Sequence, residues 1–312
     1  MGRTFGFSST TDDVVQGIDL AGRRAVITGA TSGLGLETAR ALAGQGAEIV
    51  ILGRSGDKLS AAKRYLAEQG VRGAVRTAIL ELADLDSVRA AAEELLGAVD
   101  SIDILVNNAG VMVCPFGTTA QGFEMQFGTN HLGHFLFTCL LAPALVAGAP
   151  ARVVNLASSG HRVAPLDFND PNFERRKYNR WVAYGGSKTA NVLFTVGLDT
   201  RLRGKGVRAL AVHPGVISTD LGRHLTDNDR AMFTKPPEPY KSIQQGAATS
   251  VWAATAPELE GVGGRYLANC QIAEVDDSAD PTHGVKSYAI SPDDAERLWQ
   301  LSETLVGRSF DL

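Results

Sequence analysis

The sequence has few cysteines, no excess of positive charge and no apolar run long enough to cross a membrane. Its three cysteines, Cys114, Cys139 and Cys270, show no CxxC spacing, which argues against a disulfide framework and against a zinc site. We expect reduced, buried thiols in a cytoplasmic protein. The formal net charge of −4 at pH 7 offers no general field that would attract nucleic acid or an anionic membrane.

Membrane spans and metal sites are not expected either. The longest apolar run, residues 135–150, contains Pro143 and is shorter than the roughly 20 residues that a membrane span needs. We interpret it as a buried helix. The N-terminal segment MGRTFGFSSTTDD lacks the apolar stretch of a secretory signal. His131 and His134 are three residues apart, but no third ligand follows at a metal-binding spacing, so we expect no metal.

The hydrophobic pattern alternates between short apolar strands and helices. Strands are predicted at residues 24–28, 48–52, 75–82, 102–107, 151–156 and 207–213. Helices are predicted at residues 33–43, 57–69, 86–99 with Asp86 as N-cap, 123–146, 183–202, 242–254 and 293–306. Near-continuous apolar strands separated by helices indicate a parallel sheet covered on both faces. The predicted fold class is therefore α/β, a single-domain, Rossmann-like, doubly wound parallel sheet flanked by helices.

Three segments fall outside this alternation. Residues 1–20 are interpreted as an N-terminal appendage, and residues 21–312 as one domain. Residues about 160–182 and 220–241 are rich in Pro, Asn, Asp and charge, so they are interpreted as loops that cover the site. In doubly wound sheets, ligands bind beyond the carboxyl ends of the strands. The residues that follow each strand are therefore the ones to examine.

A glycine-rich turn follows the first predicted strand and opens the first long helix. It reads TGATSGLG at positions 28–35. Gly29 suits a tight turn, Gly33 allows backbone to approach a phosphate, and Gly35 allows close packing of helix on strand. The helix N-terminus presents free N–H groups and the positive end of its dipole. In this context the turn predicts a dinucleotide-binding site.

The residues after the second strand bear on which dinucleotide is bound. An NAD site usually has an acidic residue here that binds the ribose hydroxyls. This chain has Arg54 instead and no acidic residue before Asp57. Because a guanidinium matches a 2′-phosphate, we expect NADP as cofactor. NAD remains the alternative if Arg54 is an ordinary solvated surface residue.

Tyr184 and Lys188 are four residues apart on a predicted helix, so they share one face. A free tyrosine has a pKa near 10 and is a poor base at neutral pH. A nearby ammonium favours the phenolate, so Lys188 is expected to lower the pKa of Tyr184. The phenol could then exchange a proton with an alcohol oxygen. This spacing alone is common by chance and gains weight only from the motifs around it.

Taken together, these motifs resemble the short-chain dehydrogenase/reductase family. The resemblance runs from about residue 19 to about residue 264. It rests on TGATSGLG at 28–35, NNAG at 107–110, the asparagine in FGTNHLGHF, VVNLASS at 153–159, YGGSK at 184–188 and HPGVIST at 213–219. The long interval between VVNLASS and the tyrosine, together with the phrase GHRVAPLDFNDPNF, resembles the retinol-dehydrogenase-like branch.

The resemblance implies roles for individual residues. Tyr184 would be the acid/base, Lys188 would bind the nicotinamide ribose, and Ser158, with Ser159 as fallback, would hydrogen-bond the substrate carbonyl. Asn130 would hold a water that links Lys188 to solvent. The implied cofactor-binding residues are Gly29, Thr31, Ser32, Gly33, Leu34, Gly35, Arg54, Glu81, Leu82, Asn107, Ala109, Gly110, Tyr184, Lys188, Pro214, Gly215, Val216 and Thr219.

Two departures from the family pattern stand out. Glu81-Leu82 replaces the frequent Asp-Leu, which puts a direct copy of that adenine contact in doubt. Gly186 lies two residues after the tyrosine, and glycine weakens a helix by about 1 kcal/mol relative to alanine. We therefore expect a looser first turn of that helix or extra room for substrate.

The function that the sequence predicts is hydride transfer between NADP(H) and a carbonyl or alcohol of an apolar small molecule. Two alternatives remain: reduction of a carbon–carbon double bond, and a non-catalytic regulator that binds NADP. The expected partner is a small-molecule substrate, without nucleic acid and without a membrane span. The helices at 123–146 and 183–202 would either pair with a second subunit in a homo-oligomer, as in many members of the family, or be covered within the chain.

Overall fold

The strands belong to one eight-stranded sheet in the computed structural model, which describes residues 4–232, 239–278 and 284–312. The strands are β1 (Arg24–Thr28), β2 (Glu48–Gly53), β3 (Val75–Ile79), β4 (Ile104–Asn107), β5 (Ala151–Leu156), β6 (Val207–His213), β7 (Arg265–Ala268) and β8 (Gln271–Ile272). Their order is β3-β2-β1-β4-β5-β6-β7-β8. All neighbours are parallel except β7 and β8. The order reverses between β1 and β4, which opens a crevice beyond their carboxyl ends.

Helices cover both faces of this sheet. They are α1 (Thr11–Val15), α2 (Gly33–Gly44), α3 (Gly56–Glu68), α4 (Leu85–Ala98), α5 (Met125–Phe127), α6 (Gly133–Ala147), α7 (Arg180–Leu202), α8 (Asp227–Met232), α9 (Ile243–Thr255) and α10 (Pro292–Val306). Side chains of α4, α6, α7 and α10 form the core on one face, and side chains of α1, α2, α3 and α9 form it on the other. The arrangement confirms the predicted doubly wound α/β fold.

Two helix starts differ from the prediction. The N-cap of α4 is Asp84, whose carboxylate accepts the backbone N–H of Asp86 at 3.0 Å, so Asp86 lies inside the first turn instead of capping it. Helix α7 begins at Arg180 because the Asn179 side chain accepts the N–H groups of Trp181 and Val182. Tyr184 and Gly186 are thus in the second turn of the helix, so the glycine is not in the first turn as expected, and the extra room for substrate stays a prediction.

The N-terminal segment is packed into the domain and is not an appendage. Val14, Val15 and Leu20 are buried in the same core as α2 and α9. Arg40 on α2 holds this segment through an ion pair with Asp12 at 2.6 Å. Residues 1–3 of the predicted appendage lie outside the described residues.

The outer face of α7 is covered by α10. Trp299 on α10 packs edge-on against Phe135, with ring centroids 5.0 Å apart, and lies against Phe194. Arg201 stacks over the Trp299 ring at 3.9 Å. The sequence left open whether the helices at 123–146 and 183–202 pack on a second subunit or are covered within the chain. Much of their apolar surface is buried within the chain. A homo-oligomer stays a prediction.

One helical stretch among the described residues, Met125–Ala147, has the length and hydropathy of a membrane span. Of its most apolar window, 78% is buried inside the fold, and Phe135 and Phe137 are fully buried. Burial of this kind is typical of a core helix and matches the sequence-based interpretation.

The two predicted loops cover the crevice and contain short helical turns. Ser159–Arg162 and Asp220–His224 are 3₁₀ turns. The Asp229 carboxylate on α8 pairs with Arg180 at 2.6 Å, which ties the second loop to the start of α7. Residues 233–238 of that predicted loop lie outside the described residues.

Candidate active site

A long cleft of about 900 Å³ lies beyond the carboxyl ends of the central strands. Nearly all the sequence-predicted site residues line it. Those residues are Gly29, Thr31, Ser32, Gly33, Leu34, Gly35, Arg54, Glu81, Leu82, Ala109, Gly110, Ser158, Tyr184, Lys188, Pro214, Gly215, Val216 and Thr219. Asn107 and Asn130 are the exceptions. The single cleft therefore joins the glycine turn to the tyrosine helix.

The glycine turn leaves no room for side chains at two positions. Gly29 has a φ of +65°, and a Cβ there would lie 2.8 Å from the Ala109 Cα. A Cβ on Gly35 would lie 2.6 Å from the Gly29 carbonyl oxygen. Gly33 has a φ of +54°, and its Cβ would meet only Thr219, at 3.8 Å. The turn is thus packed against the sheet and open toward the cleft, which fits a pyrophosphate at the N-terminus of α2.

Arg54 and Glu81 lie together at one end of the cleft. The Arg54 side chain is 67% exposed, and its guanidinium lies 3.6 Å from the Glu81 carboxylate. The other Glu81 oxygen accepts the backbone N–H of Ala83 at 3.0 Å. Glu81 therefore stabilises the turn at residues 81–83 with one oxygen and faces Arg54 with the other. An exposed guanidinium at this end suits a phosphate group of a bound dinucleotide.

Asn107 does not line the cleft, contrary to the cofactor-binding role that the resemblance implied. Its amide donates to Asn155 at 2.7 Å and to Thr138 at 2.8 Å, so it cross-links β4, β5 and α6 in the core. Its neighbour Asn108 lines the cleft instead and donates to the Thr28 carbonyl at 2.8 Å. Successive residues along a strand point to opposite faces of the sheet. This explains why Asn108 faces the cleft while Asn107 faces the core.

Tyr184, Lys188 and Ser158 meet in the middle of the cleft. A Cβ on Gly160 would lie 2.6 Å from Cε1 of the Tyr184 ring and 3.3 Å from the Ser158 Oγ, which makes Ser158 the serine beside the phenol. The Lys188 ammonium lies 5.9 Å from the centre of the Tyr184 ring and donates to the Leu156 carbonyl at 2.9 Å. The phenol, the hydroxyl and the ammonium all come from segments that the fold holds rigidly.

The pKa of Tyr184 is raised in the structure, whereas the sequence predicted that Lys188 would lower it. Burial raises the pKa of Tyr184 to about 12, and the hydrogen bond with Ser158 opposes that rise. Burial lowers the pKa of Lys188 to about 8. Desolvation disfavours each charged form, and at this distance it outweighs the attraction of the ammonium for the phenolate.

Asn130 lies behind the cleft wall, in a π-helical segment, Gly128–Leu132. Its amide oxygen accepts the Val111 N–H at 2.8 Å, and its amide nitrogen donates to the Val111 carbonyl and to Ser187. Its backbone carbonyl lies 3.0 Å from the Nδ1 of His134. The predicted role of holding a water stays a prediction.

The substrate end of the cleft was not predicted residue by residue. Its apolar lining comes from several loops and helix starts, namely Met112, Met125, Val163, Trp181, Leu221 and Leu225. Arg223 and Arg230 also line the cleft. These residues lie in loops, short helical turns and the first turn of α7, where no periodic pattern marks them. Only the composition of the two predicted loops signalled that they cover the site.

Gly160 makes a close approach that the sequence did not reveal. A Cβ at this position would lie 2.6 Å from Cε1 of the Tyr184 ring. We expect Gly160→Ala to displace the buried phenol and to lower kcat on the order of 100-fold, measured in steady-state assays on folded protein. Gly204→Ala is the matched control, because nothing lies within 4 Å of its Cβ. Equal kcat values in the two variants would contradict this prediction.

Lys188 should also give stability a pH dependence. Its pKa is about 8 in the folded protein against 10.5 for a free lysine, so between these values the unfolded chain binds more protons. The free energy of unfolding should therefore rise with pH across this window, by about 1 kcal/mol per unit from this group. Urea titrations of the protein without added dinucleotide measure this. Lys188→Met should flatten the slope, and an unchanged slope would refute the assignment.

Comparison with known proteins identifies the family. Residues 23–230 match the family model described as short chain dehydrogenase. A Streptomyces lividans protein described as a probable oxidoreductase is 45% identical over 293 residues, which cover 91% of this chain and 97% of that protein. Human retinol dehydrogenase 12 is 42% identical over 291 residues, which cover 93% of this chain and 88% of that protein.

Solved structures are similar in fold and in sequence. An uncharacterized protein from Mycobacterium paratuberculosis has a TM-score of 0.76 and 36% identity, covering 98% of this chain and 100% of that one. A gluconate 5-dehydrogenase from Burkholderia cenocepacia, solved with NADP and tartrate, has a TM-score of 0.64 and 27% identity, covering 80% of this chain and 94% of that one. The chain therefore belongs to the short-chain dehydrogenase family, as an oxidoreductase of its retinol-dehydrogenase-like branch.

Proposed function

We propose that this oxidoreductase transfers a hydride between NADP(H) and the carbonyl or alcohol carbon of a small, mostly apolar molecule. The observation that carries the proposal is that the Tyr184 and Ser158 side chains lie side by side around Gly160, with the Lys188 ammonium 5.9 Å from the centre of the phenol ring, all inside the cleft that begins at the glycine turn. Two neighbouring hydroxyls can both bind one substrate oxygen atom.

The chain supplies binding, orientation and a proton. When bound, the nicotinamide supplies or accepts the hydride. Ser158 donates a hydrogen bond to the substrate oxygen and holds it against Tyr184. Tyr184 gives its proton to that oxygen in the reductive direction and takes it back in the oxidative direction. Lys188 would bind the nicotinamide ribose, and its ammonium favours the phenolate.

Support for NADP comes from charge and from a relative. Arg54 is the exposed cation after β2, with Lys58 also lining the cleft. The gluconate 5-dehydrogenase with the same fold was solved with NADP. A carboxylate at position 54 would repel a 2′-phosphate, whereas a guanidinium binds one through paired, charge-assisted hydrogen bonds.

Support for an apolar substrate comes from the cleft lining and from the relatives. Met112, Met125, Val163 and Trp181 line the same cleft as Tyr184 and Ser158, so an apolar body would be desolvated as it binds. Several similar proteins are named retinol dehydrogenases.

The predicted cytoplasmic location remains a proposal, supported by the three cysteines, which are free and buried.

A substrate panel tests the proposal. The protein is incubated with NADPH, then NADH, and with matched aldehydes, ketones and enones that carry apolar bodies. We expect loss of NADPH absorbance with the carbonyl compounds, and alcohol products identified by mass. Products reduced at the carbon–carbon bond would overturn the carbonyl assignment. Dinucleotide binding without turnover on any member of the panel would overturn catalysis and favour a binding protein.

A further inference from the structure

His161 is a buried imidazole that the proposed mechanism does not use. It lies in the 3₁₀ turn just after Ser158 and is fully buried. Its Nδ1 is 2.7 Å from the Ser158 carbonyl oxygen, and its Nε2 accepts the backbone N–H of Lys286 at 3.2 Å. Its ring packs against Tyr266, with centroids 4.9 Å apart. Both nitrogens are therefore committed to backbone partners.

These two contacts fix the tautomer. A carbonyl oxygen only accepts, so Nδ1 must carry the proton that bonds Ser158. A backbone N–H only donates, so Nε2 must present its lone pair to Lys286. The imidazole is therefore neutral and has one orientation. Its burial, which lowers its pKa to about 4, is consistent with that state.

The C-terminal segment Gly284–Ile290 completes the attachment. Tyr288 donates its hydroxyl to the His161 carbonyl at 2.6 Å, and Arg162 donates to the Gly284 carbonyl at 2.5 Å. Val285, within this segment, forms an isolated β-bridge with Val275. The turn that carries Ser158 is thus fastened to a segment more than a hundred residues later in the chain.

The hydroxyl of Ser158 depends on this turn. Its oxygen accepts the Gly160 N–H at 3.0 Å, which leaves the hydroxyl proton for Tyr184 or for substrate. The Ser158 carbonyl accepts both the His161 backbone N–H at 3.1 Å and the imidazole Nδ1. Loss of the imidazole would remove one of these two bonds while the turn itself persists.

We propose that His161 is a positioning residue that holds Ser158 in its reactive orientation by linking the Ser158 carbonyl to the backbone of the C-terminal segment. The inference rests on the proposed function for its kinetic consequence, because Ser158 must orient the substrate oxygen. A loosened serine turn would lower kcat, while the dinucleotide, bound mainly at the glycine turn, would keep its affinity.

Two substitutions at this position separate the hydrogen bonds from the packing. His161→Phe keeps an aromatic ring but removes both hydrogen bonds, and we expect it to lower kcat by about tenfold to a hundredfold with the NADPH dissociation constant unchanged. His161→Asn keeps a donor near Nδ1 and should restore part of kcat. Lys286→Met is the matched control, because it keeps the backbone N–H that reaches His161, and it should behave like the parent.

A double-mutant cycle provides the decisive readout. If His161 acts through the serine, His161→Phe should change kcat little in a Ser158→Ala background. An equal loss in both backgrounds, or an unchanged kcat in folded His161→Phe, would overturn the proposal.

Hydrogen–deuterium exchange at the Gly160 amide adds a readout that needs no turnover. We expect faster exchange in His161→Phe than in the parent or in Lys286→Met. Faster exchange in a chain that turns over no substrate would overturn the proposed function alone. Unchanged exchange would overturn the positioning role alone.

Discussion

Replacing Tyr184 with Phe should lower kcat by roughly 1,000-fold, within the range that general acid–base groups contribute. The substitution keeps the buried ring and removes only the hydroxyl. The dissociation constant for NADPH should change little, because the glycine turn and Arg54 lie elsewhere in the cleft. Stopped-flow turnover and binding titrations on the same preparation measure both quantities.

Tyr65→Phe is the matched control for this experiment. Tyr65 is 40% exposed on α3 and does not line the cleft, so its variant should retain parental kcat. If Tyr184→Phe also turned over at the parental rate on an identified substrate, another group would have to supply the proton, and the role of Tyr184 would be wrong.

Replacing Arg54 with Asp should reduce the preference for NADPH over NADH by about tenfold to a hundredfold. Hydrogen bonds to charged groups contribute about 1.5–3 kcal/mol, and each 1.4 kcal/mol is a factor of about ten in affinity. The new carboxylate, with Glu81 next to it, would also repel a 2′-phosphate. The ratio of kcat/KM for the two cofactors on one substrate measures the effect.

Arg64→Asp is the control for charge alone. Arg64 is exposed on α3, the helix that follows Arg54, and does not line the cleft. Its variant should keep the parental cofactor ratio. A parental ratio in Arg54→Asp as well would show that Arg54 is an ordinary surface residue, as the alternative interpretation of the sequence holds.

Strands were predicted best where their buried residues form an unbroken apolar run in the sequence. The apolar runs of β5 and β6 have the same bounds in sequence and structure, Ala151–Leu156 and Val207–His213. β7 and β8 were not predicted, because strands of four and two residues carry too little periodicity. The start of α4 was misplaced because Asp84 and Asp86 both suit a cap, and only the backbone geometry decides between them.

The cofactor end of the site could be predicted in detail, whereas the substrate end could not. A left-handed φ requires glycine at position 29 and close packing requires it at position 35, so both positions are visible in the sequence. The contacts of Gly160 and His161 depend on segments that are distant in the chain, Tyr184 and Lys286. No local pattern encodes such contacts. The rise in the pKa of Tyr184 was missed for a similar reason, since burial depends on the whole fold.

The packing of α10 on α7 has a consequence for how the chain matures during synthesis. Trp299 covers Phe194 and Arg201 on the helix that bears Tyr184 and Lys188. Residues of α10 are translated long after that helix has left the ribosome, so an emerging chain exposes this apolar face until they follow. A nascent chain stalled before residue 292 should therefore bind chaperones and be cut readily by protease within α7.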